Sequence, residues 1–151
     1  MAFGQLSLKG RALRYLSARE HSRTELSRKL APHEEEPGEI ERVLDELTAK
    51  GFLSEARVVE SVVHRRAARL GAARIRQELQ QKGIAPELMA AALAGLKDSE
   101  LARARAVWQR KFDAPPADAA ERARQTRFLM TRGFASEVVR RVLAGGWDDE
   151  G

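Results

Sequence analysis

Apolar residues recur along the whole chain at the three- and four-residue spacing that is typical of amphipathic helices. No stretch alternates apolar and polar residues as a half-buried strand does. The pattern therefore predicts an all-α protein with nine helices in three groups of three. The predicted helices cover residues 8–19, 22–30, 40–50, 55–70, 72–82, 86–96, 100–112, 119–132 and 137–143.

Residues that cap helices mark the ends of these segments. Ser22 and Glu25 have the spacing of a capping box, in which each side chain accepts a hydrogen bond from the other residue's backbone N–H. Gly51 is predicted to end the third helix, with Phe52 packing back onto it. Three further serines are predicted to precede later helices as N-caps, namely Ser54, Ser99 and Ser136.

A segment of 23 residues occurs twice, fifty positions apart. Residues 73–95 align with residues 123–145 with nine identities, and Lys82-Gly83-Ile84 returns as Arg132-Gly133-Phe134. Self-similarity at such a period is typical of helical arrays, whose units bury their apolar faces mainly against neighbours. We therefore expect three tandem three-helix repeats in an elongated array. Their expected limits are residues 1–53, 54–97 and 98–151.

Composition argues against an enzyme or a metalloprotein. The chain has no cysteine, and its three histidines, His21, His33 and His64, share no ligand spacing. No nucleophile–base pair or glycine-rich phosphate loop is present. We expect no catalytic residue, no metal and no cofactor. The sequence also shows no signal peptide and no apolar run long enough to span a membrane, which predicts a cytoplasmic protein with no membrane partner.

Positive charge is concentrated in the middle of the chain. Residues 1–53 hold nine Lys/Arg and nine Asp/Glu, residues 54–97 hold eight and four, and residues 98–151 hold ten and nine. The surplus of four positive charges in the middle repeat indicates a phosphate-bearing or acidic partner. The basic cluster of this repeat consists of Arg65, Arg66, Arg69, Arg74, Arg76 and Lys82.

Helical spacing predicts different roles for these side chains. Arg66 lies near the centre of an apolar stripe, where a guanidinium needs a carboxylate partner, and Glu78 on the next helix is the expected one. If that pair is fully buried, its loss costs about 3–5 kcal/mol. Trp108 and Phe112 have core spacing, and Arg132 is explained by its position at a helix end. The predicted partner contacts are Arg65, Arg69, Arg74, Arg76 and Lys82, with Arg124 and Arg127 extending the surface into the third repeat.

Several segments together carry a family resemblance. Residues 51–57 (GFLSEAR) and 74–84 (RIRQELQQKGI) resemble the signature of RecX, the bacterial regulator of the RecA recombinase. Residues 11–16 and 21–30 resemble the family's first repeat, and residues 127–134 resemble its third. The chain departs from the family at Val58, where an aromatic residue is usual. It also departs at residues 70–73, where Leu-Gly-Ala-Ala replaces a Gly-x-Gly-Pro turn.

The resemblance implies both an architecture and a function. RecX proteins consist of three tandem three-helix repeats bent into an elongated arc. They bind along the groove of the RecA–DNA filament, inhibit its ATPase, strand-exchange and coprotease activities, and bind DNA themselves. For this chain the resemblance implies the RecA filament and single- and double-stranded DNA as partners, with the predicted arginines as contact residues. We expect it to act as a monomer.

Two other functions remain compatible with the residues. Short capped helices, including residues 22–30, also occur in helix-turn-helix transcription regulators, which bind their operators as dimers. A scaffold that binds a protein partner without nucleic acid is the second alternative, and its binding would depend little on salt. Inhibition of recombinase ATPase on single-stranded DNA would distinguish both from a filament regulator.

Overall fold

The computed structural model describes residues 6–145, and these residues form nine α-helices, one short 3₁₀ turn and no strand. Repeat 1 consists of α1 (Leu8–Ala18), α2 (Arg23–Leu30) and α3 (Glu39–Ala49), with the 3₁₀ turn at Ala31–His33. Repeat 2 consists of α4 (Glu55–Arg66), α5 (Ala72–Gln81) and α6 (Pro86–Lys97). Repeat 3 consists of α7 (Glu100–Gln109), α8 (Ala119–Thr131) and α9 (Ser136–Ala144).

Each repeat has a hydrophobic core of its own. Leu26, Leu44 and Leu47 are among the buried residues of repeat 1, Ile75 and Leu79 among those of repeat 2. Repeat 3 is centred on a core that includes the two aromatic residues expected there, Trp108 and Phe112. Three separate cores joined in series agree with the predicted fold class of three tandem three-helix repeats.

Local capping signals placed several helix ends correctly. The Ser22 hydroxyl accepts from the Glu25 backbone N–H at 3.1 Å, and the Glu25 carboxylate accepts from the Ser22 N–H at 3.0 Å, which completes the capping box. Ser54 caps α4 by accepting from the Arg57 N–H at 3.2 Å. Gly51 follows α3 with a φ of +81°, a left-handed conformation that favours glycine.

Other local predictions were wrong. Phe52 does not pack back onto α3, since 51% of it is exposed, whereas Leu53 is only 3% exposed and belongs to the core of repeat 1. Helix α4 ends at Arg66, four residues before the predicted end. Ser136 is the first residue of α9 and not its cap. Ser99 stands at the N-cap position of α7 as predicted, but its hydroxyl donates to the Leu96 carbonyl and makes no capping hydrogen bond.

The fifty-residue sequence repeat corresponds to a repeated structure. Gly83 and Gly133 follow α5 and α8 with φ values of +71° and +89°, so both helices end in the same way. Leu79 and Leu129, which are aligned by the repeat, are both fully buried. A second correspondence with an offset of 45 residues relates α4 to α7, because both start with glutamate after a serine.

That glutamate joins each repeat to the one before it. The Glu55 carboxylate accepts from the backbone N–H of Arg23 at the start of α2, and the Glu100 carboxylate accepts from the N–H of Ala72 at the start of α5, each at 2.8 Å. The first N–H groups of a helix have no partner within the helix. A carboxylate also interacts favourably with the positive end of the helix dipole. The same side-chain cap therefore fastens both junctions.

The two junctions differ in their remaining contacts. Between repeats 2 and 3 the backbones meet directly, with the Gly71 N–H donating to the Arg132 carbonyl at 2.8 Å. The Ala73 N–H donates to the Gly133 carbonyl at 3.2 Å. Between repeats 1 and 2, charged side chains supply the other contacts, including the ion pair of Arg57 with Glu20 at 2.9 Å. Repeats 2 and 3 are thus joined more closely through their backbones than repeats 1 and 2.

Candidate interaction surface

The arginines at the end of α4 share one carboxylate. Arg66 Nε donates to Glu78 Oε1 at 3.0 Å, and an Arg65 guanidinium nitrogen lies 3.7 Å from Glu78 Oε2. The Arg66 side chain is 36% exposed, so the pair is half in solvent. The pair is therefore not fully buried, and the loss of about 3–5 kcal/mol expected for a buried pair does not apply to it.

We expect Arg66→Ala to lower the free energy of unfolding by only about 1 kcal/mol, because partly exposed ion pairs are screened by water. Urea unfolding followed by circular dichroism measures the change. Arg65→Ala is the matched control, and its longer contact predicts a smaller effect. A loss above about 3 kcal/mol for Arg66→Ala would show that the pair behaves as a buried one.

Two arginines of repeat 2 are free to meet a partner. Arg69, after α4, and Arg76, on α5, are exposed. Neither side chain makes an ion pair or hydrogen bond with another residue between positions 6 and 145. The fold therefore does not use either guanidinium group. Both residues remain predicted contact residues.

The other two predicted contacts of repeat 2 lie at its junctions. Arg74 Nη1 donates to the Thr131 carbonyl of repeat 3 at 2.8 Å, although the residue is exposed. Lys82 Nζ lies 3.2 Å from Glu25 Oε2 of repeat 1, and both side chains are mostly buried. Both cations therefore make contacts between repeats.

The Glu25 carboxylate interacts with several neighbouring groups, including Lys82. Burial alone would raise the pKa of its carboxyl group, but the Ser22 backbone N–H, the Arg19 guanidinium and the Lys82 ammonium lower that pKa from 4.5 to about 2. A group whose pKa is lowered by folding stabilises the folded state above its unfolded pKa and loses that contribution as the pH falls towards the folded value. The Glu25 carboxyl group is therefore ionised at neutral pH, and its contribution to stability is lost as the pH falls from about 4.5 to about 2.

In repeat 3 the predicted contact arginines are exposed, whereas Trp108 lies in the core. Arg124 lies 3.3 Å from Glu121 on its own helix, and Arg127 is exposed without a side-chain partner in the described part of the chain. Trp108 is 4% exposed, and its indole N–H donates to Gln125 Oε1 at 2.8 Å. The predicted core role of Trp108 is thus confirmed.

Two cations of repeat 3 have contacts that sequence reasoning missed. Arg132 closes α8 as expected, but its guanidinium also lies 3.6 Å from the centre of the Phe128 ring while Nη1 donates to the Phe128 carbonyl. Arg103 is partly buried and donates to Ser99 and to three carbonyls around the ends of α4 and α6. Burial lowers the pKa of the Arg103 guanidinium. No sequence motif marks either contact, because the acceptors of Arg103 lie up to 36 residues away.

Within residues 6–145 no group of three or more histidine or acidic side chains could hold a metal ion. None of the helices in this range is long and apolar enough to cross a membrane. The grooves on this part of the molecule are open, and each is lined by several charged side chains, which suits contact with a macromolecule better than enclosure of a small ligand.

Comparison with known proteins agrees with this architecture. Profiles described as the first, second and third three-helix domains of RecX match residues 9–47, 54–93 and 98–143. "Regulatory protein RecX" of Leptothrix cholodnii is 68% identical over 139 residues, which cover 92% of this chain and 88% of that protein. The chain belongs to the RecX family. The protein of the same name from Ralstonia nicotianae is 55% identical over 93% of this chain and 88% of its own length.

Solved RecX structures share the fold at low sequence identity. The crystal structure of RecX from Lactobacillus salivarius superposes with a TM-score of 0.77 over 91% of this chain and 92% of that chain, with 19% identity. A crystal structure of regulatory protein RecX gives the same TM-score over 91% of this chain and 72% of that one, with 22% identity. The chain is therefore a RecX-family regulatory protein with the family's three-repeat fold.

Proposed function

We propose that this RecX-family protein regulates a RecA-type recombinase. It binds along the recombinase–DNA filament, inhibits its ATPase, strand-exchange and coprotease activities, and contacts DNA itself. It acts as a cytoplasmic monomer in DNA repair, recombination and the SOS response. Its functional units are the repeats at residues 1–53, 54–97 and 98–151. The observation that carries the proposal is the similarity to proteins named RecX over more than nine tenths of the chain.

The distribution of charge supports a long contact with a polyanionic filament. The three repeats are joined in series, and repeat 2 exposes Arg69 and Arg76, whose side chains make no ion pair or hydrogen bond within residues 6–145. Repeat 3 adds Arg127, also exposed. Free guanidinium groups suit bidentate contacts to phosphate or carboxylate. Sites spread over more than one repeat would let one protein span several recombinase subunits.

Repeat 1 is less suited to the helix-turn-helix alternative. Arg23 of α2 is held by the carboxylates of Glu41 and Asp45, each at 2.8 Å. Lys29 Nζ lies 3.2 Å from His21 Nε2 and 4.6 Å from the centre of the Tyr15 ring. Two of the three basic side chains of α2 are thus engaged within the repeat, which supports a filament regulator over an operator-binding protein.

The proposal predicts inhibition of recombinase ATPase on single-stranded DNA at well below one protein per recombinase subunit. ATP hydrolysis measured over a range of protein concentrations tests it. Arg69→Glu with Arg76→Glu should raise the half-inhibitory concentration about ten-fold, because two favourable contacts become repulsive. Arg14→Glu with Arg42→Glu changes the net charge equally on exposed positions of the neutral repeat 1 and should have little effect. Unchanged hydrolysis at equimolar parent protein would refute the proposal.

A further inference from the structure

A basic groove lies between the C-terminal ends of α7 and α8 in repeat 3. Its volume is about 300 Å³. Four cations line it together with two aromatic rings, and no carboxylate does so. The residues that define this basic groove are Lys111, Arg124, Arg127, Arg132, Phe112 and Phe128.

The rings hold two of the guanidinium groups in place. Arg132 lies 3.6 Å from the centre of the Phe128 ring, and Arg124 lies 5.3 Å from the centre of the Phe112 ring. The two rings meet edge to face at 5.1 Å. Cation–π contact fixes a guanidinium while leaving N–H groups at its edge available to an acceptor. The groove therefore presents oriented donors.

The corresponding place in repeat 2 is neutralised. The 45-residue offset relates Lys111 to Arg66, and the fifty-residue offset relates Phe128 to Glu78. In repeat 2, Arg66 is paired with Glu78 at 3.0 Å. In repeat 3 a phenyl ring occupies the position of that carboxylate, so Lys111 has no ion pair among the described residues. The same fold thus carries a neutralised pair in one repeat and an uncompensated cation in the next.

A second pair of equivalent positions differs in the same way. Lys82 and Arg132 both cap the C-terminus of their helix, and Lys82 is paired with Glu25 of the preceding repeat at 3.2 Å. The starts of α2 and α5, where the N–H groups of Arg23 and Ala72 both donate to a junction glutamate, align Glu25 with Arg74, which is not acidic. Arg132 therefore lacks the acidic neighbour that Lys82 has. In both comparisons the cation of repeat 3 is kept, and the carboxylate that faces its counterpart in repeat 2 is absent.

We propose that the basic groove binds the phosphodiester backbone of a single DNA strand. The inference rests on the DNA binding included in the proposed function and assigns a site to it. Four neighbouring cations match a polymer that carries one negative charge per residue, and release of its counterions supplies the affinity. A flexible strand can bend its phosphates into a concave groove of this size, which a rigid duplex cannot do.

The site contacts the backbone and not the bases. Arg132 and Arg124 already cover the ring faces on which a base would stack, and stacking is how many single-strand binding proteins hold bases. Glu121, outside the groove, takes part of the charge of Arg124, at 3.3 Å, and leaves Lys111, Arg127 and Arg132 as the main anion contacts. Binding should therefore be salt-dependent and nearly independent of base sequence.

The sharpest test places in repeat 3 the carboxylate that repeat 2 already has. Phe128→Glu should pair with Lys111 and lower the affinity for a fluorescein-labelled oligothymidylate about ten-fold in fluorescence anisotropy, while reducing the slope of log K against log salt by about 1 to 2. Ala102→Glu is the matched control. It adds the same charge at an exposed position of α7, about 13 Å along the helix from Lys111, and should bind like the parent.

A second variant keeps the test valid if Phe128→Glu folds poorly. Lys111→Gln with Arg127→Gln changes only exposed side chains and should weaken binding and reduce the salt slope similarly. Parent-like binding by this variant would overturn the proposal. An equal loss of affinity for a duplex of the same length would overturn the assignment to a single strand. Displacement by polyglutamate at the same charge concentration as oligothymidylate would point to an acidic protein and overturn the phosphodiester assignment.

Measurement of recombinase ATPase inhibition separates this inference from the proposed function. If the parent inhibits hydrolysis and both groove variants bind DNA normally, the groove assignment is wrong while the regulatory function stands. If the parent binds oligothymidylate through the groove but leaves hydrolysis unchanged, the site stands and the regulatory function fails.

Discussion

Replacing Gly71 by alanine is expected to destabilise the protein by about 3 kcal/mol, because the new methyl group would overlap with the backbone of repeat 3. A Cβ built at Gly71 overlaps with the Gly133 carbonyl oxygen and lies 2.5 Å from the Phe134 nitrogen. Real Cβ contacts are essentially never shorter than 3.0 Å. These are main-chain atoms in a buried turn, so relief requires the two repeats to move apart.

Separation would also break hydrogen bonds at the junction. The Gly71 N–H donates to the Arg132 carbonyl, and the Ala73 N–H donates to the Gly133 carbonyl. Urea unfolding should detect the loss of stability, and hydrogen exchange should show faster exchange at these two amides. Exchange in the helices of repeat 1, which do not form this junction, should stay near that of the parent.

Gly95 provides the matched control for Gly71. It lies within α6, and a Cβ there would meet no atom within 4 Å. Gly95→Ala should therefore stabilise the protein by about 0.5–1 kcal/mol, as expected for removal of glycine from a helix interior. If Gly71→Ala unfolds at the same urea concentration as the parent, the close approach of the two backbones is not a feature of the protein in solution.

Gly71 is the one glycine kept in the turn where the sequence departs from the family pattern. Residues 70–73 replace the family's usual Gly-x-Gly-Pro turn and retain one glycine, and that glycine lies where the backbones of repeats 2 and 3 meet. Comparison with the family motif shows which residues of the turn are changed. It cannot show this contact, because the other residue of the contact, Gly133, lies 62 positions away. The tight approach determines which glycine is indispensable.

Features set by neighbouring residues could be predicted from the sequence. The Ser22–Glu25 capping box and the left-handed Gly51 each depend on residues within one helix or one turn, and the fifty-residue repeat is present in the sequence itself. The all-helical fold followed from them. Hydrophobic spacing likewise placed Trp108 and Phe112 in the core.

Features set by the next repeat could not be predicted in this way. Helix α4 keeps its helical pattern to Leu70 in sequence, yet it ends at Arg66. The Arg110 guanidinium donates to the Ala68 carbonyl at 2.9 Å, and the Gly71 N–H donates to the Arg132 carbonyl of repeat 3. The early end of α4 is therefore a consequence of packing between repeats. Phe52 was misplaced for a different reason, since its neighbour Leu53 enters the core of the same repeat instead.

Contacts with the neighbouring repeats also determine which basic residues of repeat 2 are available to a partner. Six basic residues of repeat 2 form one cluster in the sequence, but Lys82 pairs with Glu25 of repeat 1, a partner 57 positions away. Arg74 is tied to the Thr131 carbonyl of repeat 3. Charge counts cannot separate such cations from free ones, since the neutralising group belongs to another repeat. Comparison of equivalent positions between repeats 2 and 3 does separate them.

Arg103 should be the side chain whose loss most weakens the junction of repeats 2 and 3. Its Nη1 donates to the Ala67 and Leu70 carbonyls at 2.9 and 2.8 Å, and its Nη2 donates to the Leu96 carbonyl at 3.2 Å. These carbonyls lie at or just after the C-terminal ends of two helices, where backbone acceptors lack helical partners and the helix dipole favours a cation. One guanidinium thus closes the ends of α4 and α6 from repeat 3.

We expect Arg103→Ala to lower the free energy of unfolding by about 3 kcal/mol, because it leaves the Ala67 and Leu70 carbonyls without their donor and removes one donor of the Leu96 carbonyl. Arg103→Lys should recover less than half of this loss, since an ammonium group cannot reproduce the planar fork that reaches three carbonyls. Arg110→Ala is the control: it removes one exposed hydrogen bond to the same segment, to the Ala68 carbonyl, and should cost about 0.5–1 kcal/mol. Urea midpoints of the three variants test the order. Equal midpoints for Arg103→Ala and Arg110→Ala would mean that water replaces the Arg103 donors at no cost and that the other contacts of this junction hold the two repeats together.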